Sequence, residues 1–213
     1  RFTFFNLRRM LMNKSFIIKI IVLCLVTIKV YAIEKVVLFG DSLMAGYGLS
    51  NEHHLSVVLK ESLIADGFNI EVINGSVSGS TSSGGLNRAE WTLSESDVDL
   101  MILGLGANDM LRGINPKETK KNLEQIIKIA QDKSIEVVLA GMVAPTSHGF
   151  KYKKNFDKIY PDLSKKYKLT LIPFLLEGVA LKPKYNLSDG MHPNEKGTII
   201  ISNTLKKAIL NKL

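Results

Sequence analysis

Cysteine is almost missing from this chain of 213 residues: the single one is Cys24. One cysteine excludes an internal disulfide, and its setting in an apolar N-terminal stretch excludes thiolate catalysis and cysteine metal sites in the body. Metal-ligand spacing is missing as well. The four histidines, His53, His54, His148 and His192, join no Asp/Glu cluster of the kind a metal needs, so no metal and no other cofactor is expected. His53 and His54 read as solvated surface residues at a helix start. Acidic residues are missing from positions 1–32, which hold six basic ones (Arg1, Arg8, Arg9, Lys14, Lys19 and Lys29). The remaining residues carry 22 basic against 20 acidic groups, so most of the formal charge of +8 belongs to the N-terminus. A nearly neutral body gives a nucleic-acid partner no electrostatic footing. There is no internal repeat and no low-complexity linker.

The N-terminal stretch has the parts of a secretory leader. Lys14 follows Met12, the apolar stretch Ile20–Ile28 comes next, and Val30-Tyr31-Ala32 offers small residues for cleavage. The apolar stretch is short for a bilayer span and Lys19 limits it. The expectation is therefore a cleaved leader with upstream residues over 1–32 and a domain over 33–213. An uncleaved anchor is the alternative. After cleavage no stable membrane insertion is expected, and export without disulfides suits a bacterial periplasm or secretion.

After residue 33, short aliphatic runs alternate with amphipathic segments. Strands are predicted at Val36–Phe39, Ile70–Ile73, Leu100–Leu105, Val137–Ala140 and Thr170–Ile172, and helices near 52–66, 116–133, 153–168 and 195–211. Pro116-Lys117-Glu118 is a helix start and Asp66-Gly67 a stop. Nearly continuous aliphatic strands separated by helices imply a parallel sheet covered on both faces. In such a sheet ligands bind at the carboxyl ends of the strands.

The chemically useful residues fall at those ends. Gly40-Asp41-Ser42-Leu43 follows the first strand, with a small residue that lets the chain turn sharply and present the Ser42 hydroxyl. Gly79, in the Ser/Gly-rich segment 74–86 after the second strand, allows a backbone N–H to approach an oxyanion. Asn108, in Gly106-Ala107-Asn108-Asp109 after the third, supplies a neutral amide donor. Asp189-Gly190-Met191-His192 precedes the last helix; Asp189 can orient one imidazole nitrogen while the other faces Ser42. Taken singly, each has an ordinary role in a cap, turn or flexible loop. Together they supply a nucleophile, a base, an orienting acid and two further donors around one crevice. A glycine at position 44 would complete Gly-x-Ser-x-Gly, the mark of a different hydrolase fold; Met44 stands there instead.

These blocks resemble those of the SGNH (GDSL) hydrolases, and most closely the bacterial periplasmic thioesterase I/lysophospholipase/arylesterase branch. The similarity also runs through Gly46-Tyr47-Gly48, Met110–Gly113, Ile172-Pro173-Phe174 and Leu181-Lys182-Pro183. It implies a flavodoxin-like three-layer α/β/α sandwich with a five-stranded parallel sheet. It implies a catalytic Ser42, Asp189 and His192, an oxyanion hole of the Ser42 and Gly79 N–H groups with the Asn108 side chain, and loop-fixing roles for Asp41 and Asp109. Ser80 and Ala107 depart from the branch's usual acidic residue and glycine.

The implied reaction is hydrolysis of an acyl ester or thioester, a small-molecule substrate, by a monomer. The loops 110–115 and 144–150 would flank the substrate groove, with Leu111, Ile114 and Phe150 as acyl contacts and His148 as a possible border. A carbohydrate O-acetylesterase with the same residues, or a non-catalytic lipid- or glycan-binding module, are the alternatives.

Overall fold

The five aliphatic runs form one sheet of parallel strands: β1 (Lys35–Gly40), β2 (Glu71–Asn74), β3 (Leu100–Gly104), β4 (Glu136–Ala140) and β5 (Thr170–Ile172). The computed structural model describes residues 33–94 and 98–213, so the leader expected over 1–32 lies outside the described residues. The strand order is β2-β1-β3-β4-β5, the order of a flavodoxin-like doubly wound sheet. Residues 36–40 of β1 and all of β3 are buried, which is why they read as unbroken apolar runs. β2, at one edge, alternates less and is half exposed.

Among the described residues, eight α-helices flank the sheet: α1 (Ser42–Ala45), α2 (Leu55–Ala65), α3 (Ser82–Ser94), α4 (Ala107–Leu111), α5 (Pro116–Asp132), α6 (Phe150–Asp157), α7 (Ile159–Tyr167) and α8 (Glu195–Ile209). α2 packs against α8, while α3 packs against α5 and α5 against α7. Right-handed crossovers running outward from β1 in one direction and from β3 in the other put these two groups on opposite faces. The three layers expected from the sequence are present.

Local chemistry sets the ends as read. The Asn115 side chain caps α5 by accepting from the Lys117 N–H, with Pro116 in the first helical position. α2 stops where Gly67 adopts φ +91° and its N–H bonds back to the Ile64 carbonyl.

Two segments differ from the sequence reading. Residues 82–94 form a helix, although the Ser/Gly-rich segment was read as a loop through residue 86 and no helix was read beyond it. The Thr81 hydroxyl accepts from the Gly84 N–H at its start, and Gly85 is in it because of close packing: a Cβ there would meet Leu105 at 2.3 Å, with Phe39 and Ile126 just beyond. The other difference is a break in the single helix read over 153–168. Pro161 has no N–H to give the Asp157 carbonyl, so α6 ends there and α7 begins two residues on.

Gly85→Val should overfill the contact between α3 and the sheet. We expect a loss of about 1–3 kcal/mol in chemical denaturation. An unchanged midpoint would mean that α3 does not pack there.

Candidate active site

The site begins where two strands run out together. β1 and β3 pair in register to their last residues, Gly40 opposite Gly104. The buried Met44 side chain fills the space over both: a Cβ on Gly40 would lie 2.5 Å, and one on Gly104 2.3 Å, from its sulfur. Two glycines are thus what allows α1 to sit down on the sheet. The chain order reverses its direction across the sheet between these strands, the position where doubly wound folds form a crevice.

Past Gly40 the Asp41 side chain caps α1, accepting from the Leu43 N–H at 3.1 Å, and Ser42 is the first helical residue. The Ser42 hydroxyl lies 3.0 Å from His192 Nε2. His192 Nδ1 lies 2.6 Å from Asp189 Oδ2, and the other oxygen of that carboxylate accepts from the Met191 and His192 N–H groups. Those two backbone bonds, followed by the imidazole bond, hold the Asp189 carboxyl down at about 2. An ionised Asp189 can only accept, so the Nδ1 proton faces it and Nε2 is left as an acceptor for the serine hydroxyl. A bond from the Leu187 N–H to the His192 carbonyl and a bridge between Asn186 and Pro193 close the turn that presents both residues. The Tyr47 ring leans on the imidazole with centroids 4.4 Å apart.

Gly79 and Asn108 stand beside this relay and are fastened to each other. Asp109, fully buried, accepts from the Ser82 N–H at 2.7 Å, from the Ser82 hydroxyl and from the Thr119 hydroxyl at 3.1 Å. It thereby ties α4 to the start of α3 and to α5. The Arg112 guanidinium donates to the Gly79 carbonyl at 3.1 Å from the far side. Neither the Ser42 nor the Gly79 N–H has a hydrogen-bond partner among the described residues.

The Asn108 amide donates from Nδ2 to Asp41 Oδ2 at 3.3 Å. A carboxylate cannot donate when ionised, so the amide nitrogen must face it and a second N–H remains for the cavity. Burial pushes the Asp41 carboxyl up to about 6, against the Leu43 N–H and the Asn108 amide, which lower it. Arg88, half-buried over the Phe39 ring at 3.9 Å, donates to the Gly75 and Gly40 carbonyls and fixes the ends of β2 and β1. Desolvation lowers its pKa, and its Nε has no partner in the described residues.

Ser42, Gly79, Asn108 and His192 all line one cavity of about 440 Å³. Its apolar wall comes from the loops after all five strands except β2: Leu43, Met110, Leu111, Met142, Phe174 and Leu176 are among its members. Of the three acyl contacts expected from the sequence, Leu111 is on this wall and Ile114 and Phe150 are not. The Ile114 carbonyl instead accepts from the Tyr152 hydroxyl, which anchors its loop to α6, and Phe150 opens α6 with its side chain in solvent. His148 does not line the cavity either; its ring rests on Tyr152. His54 corrects the surface reading, being half-buried against Gly46 with Nε2 at 3.3 Å from the Leu49 carbonyl. The loop 144–150, expected after β4 to flank the groove, puts no residue on the cavity; Met142 and Val143 just before it, Phe174 and Leu176 after β5, and the Tyr47 contact were not read from the sequence as site residues. Tyr47 sits inside the motif segment, and the rule of strand carboxyl ends would have found Met142 and Phe174.

Among the described residues no group of three His, Cys, Asp or Glu could hold a metal, and no helix is long and apolar enough to cross a membrane. A hydroxyl, an imidazole and a carboxylate linked in sequence beside an apolar cavity can pass a proton from the hydroxyl to the imidazole.

Comparison with known proteins points the same way. The GDSL-like lipase/acylhydrolase family matches residues 38–198. An arylesterase of Vibrio mimicus is 36% identical over 182 residues, 85% of this chain and 91% of that protein. Thioesterase 1/protease 1/lysophospholipase L1 of Escherichia coli (strain K12) is 33% identical over 187 residues, 88% of each chain. The crystal structure of TesA matches with a TM-score of 0.80 at 30% identity, over 84% of this chain and 100% of that one. With the strand order, the motif blocks and these matches in agreement, the chain belongs to the GDSL-like lipase/acylhydrolase family.

Proposed function

We propose that this hydrolase cleaves carboxylic esters and thioesters of aliphatic acids through an acyl-enzyme on Ser42. The observation that carries the reading is the unbroken relay from Asp189 through His192 to the Ser42 hydroxyl, with contacts of 2.6 and 3.0 Å. Ser42 attacks the carbonyl carbon while His192 Nε2 takes its proton, and Asp189 stabilises the imidazolium. The carbonyl oxygen becomes an oxyanion between the Ser42 and Gly79 N–H groups and the Asn108 amide, each worth about 3 kcal/mol in comparable sites. The imidazolium then protonates the leaving alcohol or thiol. Water, losing its proton to His192, adds to the acyl carbon; the bond to Ser42 then breaks as the imidazolium returns that proton to the Ser42 oxygen, and the acid is released.

An apolar cavity of about 440 Å³ favours an aliphatic acyl group over acetate, and so an esterase over a carbohydrate O-acetylesterase. The thioester half of the reading draws on the thioesterase name of the Escherichia coli relative. One chain provides every reacting group, which suits a monomer. The leader read in residues 1–32 supports export, to the periplasm of a bacterium or beyond.

Ser42→Ala should lower hydrolysis of nitrophenyl esters by about ten-thousand-fold or more; an unchanged rate would sink the mechanism. Across a nitrophenyl ester series, kcat/KM should rise from acetate by up to about fourfold per methylene while the chain still fits. A flat or acetate-peaked profile would favour the O-acetylesterase.

Asp41 gives a test of a different kind. Its native carboxyl titrates near 6, above the usual carboxylate range, so between about pH 4 and 6 the folded protein holds a proton that the unfolded chain has lost. Stability contributed by this group therefore falls as pH rises through that window, by on the order of 3 kcal/mol in all. Asp41→Asn cannot ionise. Its stability relative to the parent should improve by about 2–3 kcal/mol between pH 4 and pH 8 in chemical denaturation. Activity should nevertheless drop by about 100-fold, because the new amide nitrogen faces the Asn108 amide and turns that donor away. A stability difference independent of pH would contradict the buried-carboxylate account.

A further inference from the structure

Five of the eleven large apolar side chains exposed among the described residues surround the mouth of this one cavity: Tyr47, Leu111, Val143, Leu181 and Met191. Singly exposed apolar residues are ordinary, but a ring of them around one opening marks a contact surface. Leu181 stands out. It is 93% exposed, so it touches almost nothing of its own protein, and it holds φ at +61°, a left-handed backbone that a leucine rarely adopts. An acyl chain lying on Met110, Phe174 and Leu176 in the cavity would leave a side chain that far out still in water.

Cations stand next to the ring. Arg112 follows Leu111, and Lys182 and Lys184 follow Leu181. None of the three is paired with a carboxylate among the described residues: Arg112 donates to the Gly79 carbonyl, Lys182 to the Gly178 carbonyl, and Lys184 lies over the Tyr185 ring. The acids of the same loops are Asp189, engaged by His192, and Glu177, outside the cavity lining.

We infer that this rim docks on an anionic lipid surface, with Leu181, Leu111 and Met191 entering the acyl layer and Arg112, Lys182 and Lys184 meeting the charged headgroups. Apolar burial and cation attraction are the two terms that hold a protein on such a surface, and both are present at one opening. The inference rests on the esterase reading in one respect: a substrate with a long acyl chain resides in such a layer, and an opening laid flat on it receives the chain without a passage through water.

The test uses residues 33–213, which contain the whole sheet, its core and the site, so that the apolar N-terminal stretch adds nothing to the reading. Co-sedimentation is measured with vesicles of phosphatidylglycerol and phosphatidylcholine, and with phosphatidylcholine alone, on a Ser42→Ala background that leaves the lipid intact. Binding should favour the anionic vesicles and weaken in high salt. It should fall about tenfold or more both in Leu181→Asp and in Lys182→Glu with Lys184→Glu. The double lysine variant with Ser42 restored should hydrolyse a soluble short-chain ester at the parent rate, which shows that it is folded. No binding to either vesicle, or equal binding by all variants, would overturn the proposal. So would a concentration-dependent dimer that Leu181→Asp dissolves, because the rim would then belong to a second copy. Ester hydrolysis without vesicle binding removes the docking surface alone; vesicle binding without ester hydrolysis removes the esterase reading alone.

Discussion

The hydrogen bond between Asp41 and Asn108 joins the ends of the two central strands, and the rest of the site is arranged around it. It spans 3.3 Å between a carboxylate with almost no contact with water and a side-chain amide at the edge of the cavity. The in-register glycines Gly40 and Gly104 make this approach possible, and Met44 seals it from below. From this junction the chain reaches Ser42 in one residue. The amide that the bond orients faces the same cavity as Ser42 and His192.

Keeping the junction in place costs stability. Among the described residues, Asp41 is buried with only neutral donors, Asp109 likewise, and Arg88 is half-buried on two carbonyls with no carboxylate partner. Each group would be better solvated in water. Each also ties elements around the cavity: Asp41 joins α1 to α4, Asp109 joins α4 to α3 and α5, and Arg88 joins the end of β1 to the residue after β2. Three polar ties of this kind hold Ser42, Gly79 and Asn108, from three separate loops, at one cavity whose wall stays apolar.

What could be read from the sequence follows from how far the signal reaches along the chain. β1, β3 and β4 were legible because residues buried on both faces leave unbroken aliphatic runs, and α5 because Pro116-Lys117-Glu118 writes its start in adjacent residues. That Ser42, Gly79, Asn108 and His192 would meet at one cavity was legible because they, with Asp189, fall just beyond strands or just before α8. α3 was missed because Gly84 and Gly85 read as loop formers, whereas Gly85 is there to let the helix approach Leu105, a contact 20 residues away in sequence. The break between α6 and α7 was there to be read in Pro161. The acyl wall was the least legible part. Ile114 and Phe150 had the right chemistry in the right loops, but which side of a loop faces a cavity is decided by tertiary bonds, such as that from the Tyr152 hydroxyl to the Ile114 carbonyl. Phe174 and Leu176 lie in the long connection from β5 to α8, where no periodicity signals which side chains turn inward.

The central claim is that Ser42 is an activated nucleophile, made so by His192 and aimed at a carbonyl held by three donors. Reaction with a fluorophosphonate, followed by intact-mass measurement and peptide mapping, tests it most directly, because the phosphorus centre captures the serine oxygen and mimics the tetrahedral adduct. The account predicts one adduct per chain, carried by the peptide that contains Ser42. A chain that stays unmodified, or one modified at another residue, would contradict it.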